Sequence, residues 1–202
     1  MSKKIVITGG IGSGKSLLSK LIATRGYCVW DADVLSREVL FNPAVQGRIK
    51  AVFGDSVFLT DGILNREMIR NLIFTDPNLK KAFEKIMHPA MYEHFNAKVE
   101  LLNKLAPTAW VFYEASLILE LKRKSEFDFC VVVIADEAIK LKRLKENRNL
   151  NEPDVKKIMS AQMPDAEKIT YADLVIDNSL SIKDLEDSLT NLINLLIKKF
   201  SS

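Results

Sequence analysis

The sequence predicts an α/β fold in which a doubly wound parallel sheet carries a helical insertion and a small lid. Two observations support this fold class. Short apolar runs rich in β-branched residues alternate with segments whose apolar residues recur at helical spacing. The runs also lack a strict alternation of apolar and polar residues, as expected for strands that are buried on both faces of a parallel sheet.

Five apolar runs are predicted to form the strands of this sheet. They lie at residues 5–7, 27–30, 109–113, 129–135 and 174–176. Apolar residues at helical spacing predict a helix at 17–22, after the first run, and a final helix at 185–197. Strands that alternate with helices in this way indicate βαβ units.

A helical pattern interrupts this alternation at about 65–105. Apolar residues recur at helical spacing after Pro89, which is predicted to start or kink a helix. We interpret the chain, 1–202, as a single domain with three parts. They are a core at about 1–40 and 106–202, a helical region at about 41–105 and a lid at about 140–165.

Charge and hydropathy exclude some classes of protein. The 29 basic and 26 acidic residues are interspersed and give a net charge of only +3, whereas non-specific nucleic-acid binding needs basic residues concentrated on one face. No run of about 18 apolar residues is present, and the first apolar stretch is too short for a signal peptide. We therefore expect a cytoplasmic protein without a nucleic-acid or membrane partner, and a monomer or weak homo-oligomer.

The two cysteines, Cys28 and Cys130, each lie inside an apolar run. Neither belongs to a CxxC pair, and no histidine is near either of them in the sequence. We predict that both thiols behave as small buried hydrophobic groups and bind no metal.

The strongest motif is a phosphate-binding loop (P-loop). Residues 9–16 read G-G-I-G-S-G-K-S, which satisfies the pattern G-x-x-x-x-G-K-[ST] between a predicted strand and a predicted helix. Glycines let backbone N–H groups approach phosphate oxygens, and the helix N-terminus adds unpaired donors and a dipole that favours anions. The predicted nucleotide contacts in this segment are Gly10, Ile11, Gly12, Ser13, Gly14, Lys15, Ser16 and Leu17.

Two residues of this motif have predicted roles in chemistry. Lys15 would reach the β- and γ-phosphates as a point charge, so we expect it to contribute to catalysis. The Ser16 hydroxyl suits Mg²⁺, which prefers oxygen ligands. ATP and Mg²⁺ are therefore the expected cofactors, and the motif alone leaves open which reaction follows.

Acidic residues follow two of the predicted strands, where ligands bind in a doubly wound sheet. Asp31 and Asp33 come after the strand at 27–30, and Glu114 ends the strand at 109–113. Asp33 is a candidate to accept a proton from an acceptor hydroxyl. The alternative is that Asp31 or Asp33 only caps the next helix, because Asp is a preferred N-cap residue.

Arginine and histidine residues are further candidates. Arg37 lies four residues beyond Asp33 and would either pair with it or hold an acceptor phosphate. Arg143 and Arg148 suit a clamp on the transferring phosphate, or they belong to an ordinary basic helix face. A histidine before a proline, such as His88, is more often a turn residue than a ligand.

The chain resembles the dephospho-CoA kinase family, whose members catalyse the last step of coenzyme A biosynthesis. The similarity runs from about residue 5 to residue 200, and its pieces appear in order. They are TGGIGSGKS at 8–16, DAD at 31–33, FG at 53–54, DGILNR at 61–66, IMHP at 86–89, QMP at 162–164 and ADLVIDN at 172–178. Many families share the P-loop, whereas the later pieces at these separations are far more specific.

On the acceptor side, this resemblance implies a helical region that recognises the acceptor beside a P-loop core. Asp33 takes the position of the family's base, which implies a catalytic role. Arg37, Arg66 and His88 fall where the family has its acceptor-side motifs, so we expect them to bind the substrate.

On the nucleotide side, the resemblance implies a lid that closes over ATP. Asn178 falls where the loop after the last strand approaches adenine. We expect Arg143 to bind ATP and Arg148 to be catalytic, and we add Thr8 and Glu114 as substrate contacts.

The sequence departs from the family pattern at four places. Leu17 stands where Thr is common, Glu114 where Asp is usual and Ser116 where Pro is usual. The fourth is in the lid, where the arginine expected four residues after Arg143 is Asn147, and Arg148 is displaced by one. Whether Asn147 or Arg148 makes the lid contact stays open.

The expected reaction is ATP-dependent phosphorylation of the ribose 3′-hydroxyl of dephospho-coenzyme A, which gives coenzyme A and ADP. One alternative is another small-molecule or nucleotide kinase with a P-loop. A second alternative is a regulatory switch that binds ATP and signals to a partner protein.

Overall fold

The structure of the protein is a computed structural model that describes residues 1–148, 155 and 158–200, and of residues 147 and 148 it describes the backbone alone. The chain divides into two compact units. We call the first, Met1–Asp31 with Ala106–Ser202, the sheet unit, and the second, Ala32–Leu105, the helical unit.

A five-stranded sheet is the framework of the sheet unit. Its strands are β1 (Lys3–Gly9), β2 (Cys28–Asp31), β3 (Trp110–Glu114), β4 (Phe129–Ile134) and β5 (Leu174–Asp177). Their order across the sheet is β2-β3-β1-β4-β5, and every neighbouring pair is parallel. The predictions of five strands and of a doubly wound parallel sheet are confirmed.

Helices connect these strands and build the second unit. In chain order they are α1 (Lys15–Thr24), α2 (Ala32–Val39), α3 (Pro43–Phe53), α4 (Arg66–Thr75), α5 (Pro77–Leu105), α6 (Glu137–Arg148), α7 (Asp165–Ile169) and α8 (Ile182–Phe200). Short 3₁₀ turns occupy Asp55–Val57 and Lys124–Glu126. No helix in the described part of the chain is both long enough and apolar enough to cross a membrane.

The core of the sheet unit lies between the sheet and the helices α1 and α8. Ile5, Ile7 and Phe112 of the strands pack with Leu18 of α1 and Leu189 of α8, and all of these side chains are fully buried. Burying one such side chain stabilises the fold by about 1.5–3 kcal/mol. The packing holds the strands in place, and their carboxyl ends form one edge where a ligand site is expected.

The helical unit has a core of its own. Its buried residues include Val39, Ile49, Ile69 and Met87, one from each of the helices α2 to α5. Each helix therefore buries one face against the others. The predicted helical pattern at about 65–105 corresponds to α4 and α5.

Pro89 lies inside α5 and does not start a helix, which was one of the two options left by the sequence. The helix begins earlier, at Pro77. Proline at position 89 lacks the N–H that would bond to the carbonyl oxygen of Lys85. The helix continues because Met87 and Ala90, on both sides of the proline, are buried in the core of the helical unit, and this packing compensates for the lost hydrogen bond.

Candidate active site

The P-loop, residues 9–16, connects β1 to α1. Two of its glycines occupy positions where a side chain would collide with the protein. Gly14 has a φ of 94°, and a Cβ atom there would lie 1.9 Å from Asn178 Nδ2. A Cβ atom on Gly9 would lie 2.1 Å from the carbonyl oxygen of Val133. The loop therefore keeps this shape only with glycine at these two positions.

Lys15, the first residue of α1, is folded back over the P-loop. Its ammonium group donates hydrogen bonds to the carbonyl oxygens of Gly9, at 2.8 Å, and Gly10, at 3.0 Å, and the residue is only 7% exposed. Gly14 precedes the helix, and no side chain within the described residues caps the helix there. The first-turn N–H groups and this ammonium group together form a positively charged site that suits a phosphate.

The hydroxyl of Ser16 lies next to a carboxylate at the end of β3. Ser16 Oγ donates a hydrogen bond of 2.6 Å to Glu114 Oε1, and Glu114 is only 9% exposed. In the sheet, Glu114 is the register partner of Asp31 at the end of β2. Register partners on neighbouring parallel strands point to the same face, so this edge of the sheet is rich in oxygen-bearing side chains.

Asn178 connects the loop after β5 to the P-loop. Its side-chain amide donates a hydrogen bond of 2.9 Å to the carbonyl oxygen of Ser13, and its own backbone carbonyl accepts one of 2.9 Å from the guanidinium of Arg143. Asn178 is buried, and its backbone N–H bonds to the carbonyl oxygen of Ile134. The structure thus brings together Ser13, Arg143 and Asn178, three of the residues predicted to bind the nucleotide.

Sequence reasoning assigned no role to Gln162, which the structure places against the P-loop. Gln162 Oε1 accepts a hydrogen bond of 2.9 Å from the backbone N–H of Ile11. Gln162 also lines a cavity of about 600 Å³ together with Gly10 and the ion pair between Lys140 and Asp165. The QMP piece includes Gln162, but no local pattern could indicate its contact, because Ile11 is 151 residues away in the chain.

Two residues predicted to contact ligands also pack within the protein. Thr8 is fully buried, and its hydroxyl donates a hydrogen bond of 3.4 Å to the carbonyl oxygen of Ser116. Leu17, in the first turn of α1, packs against the core of the sheet unit. Both residues adjoin the P-loop motif in the sequence, and their roles as ligand contacts stay predictions.

The other residues predicted to meet the acceptor lie in the helical unit. Asp33 is in the first turn of α2 and Arg37 is in its last turn, and both are exposed. Arg66 is the first residue of α4. His88 is half-buried inside α5 and does not form a turn.

The position of Asp33 bears on its alternative role as a helix cap. Because α2 begins at Ala32, the capping position before the helix belongs to Asp31. Asp33 is inside the first turn, where its carboxylate still interacts favourably with the helix dipole. Asp33 thus lies inside the helix and not at the capping position before it, and its catalytic role stays a prediction.

The residues predicted to close over ATP lie at the end of α6. The backbone of Asn147 and Arg148 belongs to this helix, and their side chains are outside the described residues. Residues 149–154, 156 and 157 of the predicted lid lie wholly outside the described residues. The choice between Asn147 and Arg148 stays a prediction.

Comparison with known proteins adds to this geometry. A family model described as "Dephospho-CoA kinase" matches residues 4–184. The chain belongs to the dephospho-CoA kinase family. The match includes the P-loop, most of the residues named above and the whole helical unit, and it confirms the resemblance that the motifs indicated.

Relatives in the dephospho-CoA kinase family match this chain over nearly its whole length. The dephospho-CoA kinase of Leifsonia xyli subsp. xyli is 36% identical over 182 residues, which make up 89% of this chain and 91% of the relative. A crystal structure of a protein from Thermus thermophilus has a TM-score of 0.82 at 30% identity and covers 96% of this chain and 98% of its own.

A second solved structure, the dephospho-CoA kinase of Campylobacter jejuni, has a TM-score of 0.74 at 22% identity. It covers 98% of this chain and 99% of its own. At this identity the likeness concerns the fold, which is therefore the same in this chain and in a solved dephospho-CoA kinase.

Proposed function

We infer that the protein transfers the γ-phosphoryl group of ATP to the ribose 3′-hydroxyl of dephospho-coenzyme A, giving coenzyme A and ADP. The observation that carries this inference is the family match across residues 4–184. In such a transfer the hydroxyl oxygen bonds to the γ-phosphorus while the bond to the β–γ bridging oxygen breaks. The enzyme must hold the triphosphate, stabilise its charge and receive the hydroxyl proton.

The P-loop is the proposed site of the triphosphate. Its backbone N–H groups and the N-terminus of α1 would surround the phosphate oxygens. Lys15 now donates to the neutral carbonyl oxygens of Gly9 and Gly10. Charged phosphate oxygens accept stronger hydrogen bonds than neutral carbonyls, so the ammonium group would turn to the β- and γ-phosphates when ATP binds.

Mg²⁺ is the proposed metal, with Ser16 as its ligand and Glu114 beside it. Both side chains offer oxygen atoms, which Mg²⁺ prefers, and these atoms are 2.6 Å apart. The described residues include no group of three or more His, Cys, Asp or Glu side chains that could hold a metal. Mg²⁺ commonly keeps water molecules and phosphate oxygens as its other ligands, and when bound it neutralises charge on the β- and γ-phosphates.

Asn178 and Arg143 are also proposed to bind ATP, with Asn178 in the loop that approaches the adenine. The burial of Asn178 and its hydrogen bond to Ser13 support this role, because they hold the loop after β5 against the P-loop. Arg148, or Asn147 in its place, is proposed to contact the phosphates from the end of α6.

Asp33 is the proposed base that receives the proton of the acceptor hydroxyl. Its exposed position in the first turn of α2 leaves the carboxylate accessible to a substrate. The other proposed acceptor contacts are Thr8, Arg37, Arg66, His88 and Glu114. The helical region at about 41–105 and the lid at about 140–165 are the proposed acceptor-binding and nucleotide-covering parts.

We further propose that the enzyme acts in the cytoplasm, which supplies its ATP, as a monomer or weak homo-oligomer. It is proposed to have no nucleic-acid partner. The support for this is the small net charge of +3, which arises from interspersed acidic and basic residues.

The test is steady-state release of ADP by the purified protein, measured with and without dephospho-coenzyme A. We expect ADP release to depend on this acceptor and to match the coenzyme A formed, mole for mole. Nucleosides, nucleotides and sugar acids serve as comparison acceptors in the same assay. Faster turnover with one of these compounds would assign the protein to another small-molecule kinase, and slow turnover with every acceptor would favour an ATP-binding switch.

A further inference from the structure

The end of the predicted lid and the residues just after it, 162–168, form hydrogen bonds with other parts of the sheet unit at three places. Gln162, at its start, accepts the hydrogen bond from the backbone N–H of Ile11 in the P-loop, at 2.9 Å. The next residue, Met163, donates its backbone N–H to Glu120 Oε1 at 3.0 Å. Lys168 then donates to the same Glu120 oxygen at 2.6 Å.

In the Lys168–Glu120 ion pair the lysine is buried, whereas the side chain of Glu120 is 21% exposed. Lys168 is completely buried, and a buried ammonium group is tolerated only when charged or polar groups surround it. It has two such partners in Glu120 Oε1 and, at 3.3 Å, the carbonyl oxygen of Ser116. The pair therefore has little freedom to move, and the backbone of Met163 is held to the same carboxylate.

The same carbonyl oxygen of Ser116 also connects to the strand that leads into the P-loop. It accepts a hydrogen bond from the Thr8 hydroxyl at 3.4 Å. The neighbouring Ala115 donates its backbone N–H to the carbonyl oxygen of Ile7 at 3.0 Å. The residues before the P-loop and the segment from Gln162 to Lys168 are thus attached to one short turn, residues 115–120.

We propose that Gln162 is a positioning residue for the P-loop and that the Glu120–Lys168 pair holds it in place. Through the Ile11 N–H, Gln162 would fix the backbone of the loop in the shape that receives the triphosphate. The role of Gln162 concerns the binding of ATP. Only the expected effects on kcat and KM rest on the proposed function. Neither Glu120 nor Lys168 needs to touch a ligand for this role.

The first test replaces the acceptor atom of Gln162 with an apolar side chain of similar length, in Gln162→Met. Without the hydrogen bond the loop samples more conformations, and part of the binding free energy is used to order it. We expect the Kd of a non-hydrolysable ATP analogue, titrated without acceptor, to rise roughly fivefold. The KM for ATP should rise in parallel, with little change in kcat or in the KM for dephospho-coenzyme A.

A second measurement on Gln162→Met and a matched control variant complete this test. Hydrogen exchange at the Ile11 amide should become faster, because its acceptor is missing. Glu126→Gln is the matched control, since Glu126 belongs to another ion pair of the sheet unit, with Arg123 at 2.8 Å, and it should leave the Kd unchanged. A wild-type Kd and unchanged exchange at Ile11 in Gln162→Met would overturn the proposal.

The second test separates positioning from stability. Glu120→Met and Lys168→Met are combined, because replacing both members of a largely buried ion pair with apolar residues often preserves stability, whereas replacing one leaves the other charge unpaired. We expect a melting temperature near that of the wild type, but a Kd raised about as much as in Gln162→Met. Adding Gln162→Met to this pair should cause no further loss, because the three residues act through one connection.

Additive losses, or a wild-type Kd in the paired variant, would contradict the role of Glu120 and Lys168. If the paired variant does not fold, Glu120→Gln replaces it, since it keeps an oxygen for Met163 and Lys168 but removes the charge. It should raise the Kd by an intermediate amount, and no change would again contradict the proposal. All these titrations omit the acceptor, so a failure of the proposed reaction cannot be mistaken for a failure of this inference.

Discussion

The hydroxyl of Ser16 and the carboxylate of Glu114 are joined by a hydrogen bond of 2.6 Å, although 98 residues separate them in the chain. One belongs to the first turn of α1 and the other ends β3. The P-loop motif predicts Ser16 as a metal ligand, and the sheet places a carboxylate against its hydroxyl. This relationship leads to the first prediction.

Replacing Glu114 with Gln should weaken the use of Mg²⁺. The variant loses the charge that orients the Ser16 hydroxyl and attracts the cation. Residues that orient a metal ligand typically contribute about 10- to 100-fold to metal affinity or activity. The Mg²⁺ concentration that gives half-maximal rate, measured at fixed ATP, should rise within that range. Glu114→Asp keeps the carboxylate and should behave much more like the wild type, and equal Mg²⁺ dependence in all three proteins would contradict the assignment.

Lys15→Met should abolish most of the turnover while the protein stays folded. Stabilising the transferring charge in a site that excludes water is typically worth about a hundredfold or more in kcat. The variant also loses the hydrogen bonds to Gly9 and Gly10, so the melting temperature should fall slightly. Steady-state kinetics and a thermal melt measure both effects. A near-normal kcat would remove Lys15 from the mechanism.

The Asp33→Asn variant tests whether Asp33 is the general base that accepts the proton of the acceptor hydroxyl. The amide keeps the shape of the carboxylate but cannot accept the proton, and general-base assistance is typically worth about 10²–10⁴-fold. We expect kcat to fall within this range and the Kd for ATP to stay unchanged, because the proposed site of the triphosphate is the P-loop. Turnover within a few-fold of the wild type would show that Asp33 is not the base.

Arg148→Ala and Asn147→Ala compare the two candidates at the end of α6. The positive charge of Arg148 suits a transferring phosphate, so its loss should reduce kcat far more than the loss of Asn147. Both variants are assayed with saturating ATP and dephospho-coenzyme A. A larger loss of kcat in Asn147→Ala would show that the phosphate contact lies four residues after Arg143, as in the family pattern, and is made by Asn147.

Cys130 should be unreactive in the folded protein. Burial raises the pKa of its thiol from 9.0 to about 11, and only the thiolate reacts with disulfide reagents. Cys28 is only partly buried, contrary to the expectation that both thiols are buried. Labelling of native protein at pH 8 should therefore involve Cys28 alone, with Cys28→Ser as the control that abolishes it. Rapid labelling of Cys130 in the native protein would show that this strand is open to solvent.

The same pKa also predicts a dependence of stability on pH. The unfolded chain releases the Cys130 proton first, so the contribution of this thiol to the free energy of unfolding is complete below pH 9 and declines between about pH 9 and 11. Cys130→Ala should show a smaller decline over this range in chemical denaturation. An identical decline would mean that other groups cause it.

Local patterns in the sequence were enough for much of the fold. The runs that became β1, β3 and β4 are apolar because these strands are largely buried between layers, and that requirement appears in a few consecutive residues. The edge strands β2 and β5 are only partly buried. The P-loop is equally local, since eight consecutive residues, 9–16, carry its glycines, its lysine and its serine. Pro89 shows the limit of such patterns, because burial of Met87 and Ala90 carries the helix through it.

By itself, the sequence determined the fold class, the P-loop and the family, because each depends on residue types at fixed short spacings or on ordered motifs. Only the tertiary structure decided that Gln162 meets Ile11, that Glu120 neutralises a completely buried Lys168, and that Asn178 holds Ser13. These contacts join residues 48 to 165 positions apart. The order of the strands determines which distant residues become neighbours, and each buried polar group then forms a hydrogen bond with a neighbour. No local stretch of the sequence contains the strand order or the identity of these neighbours.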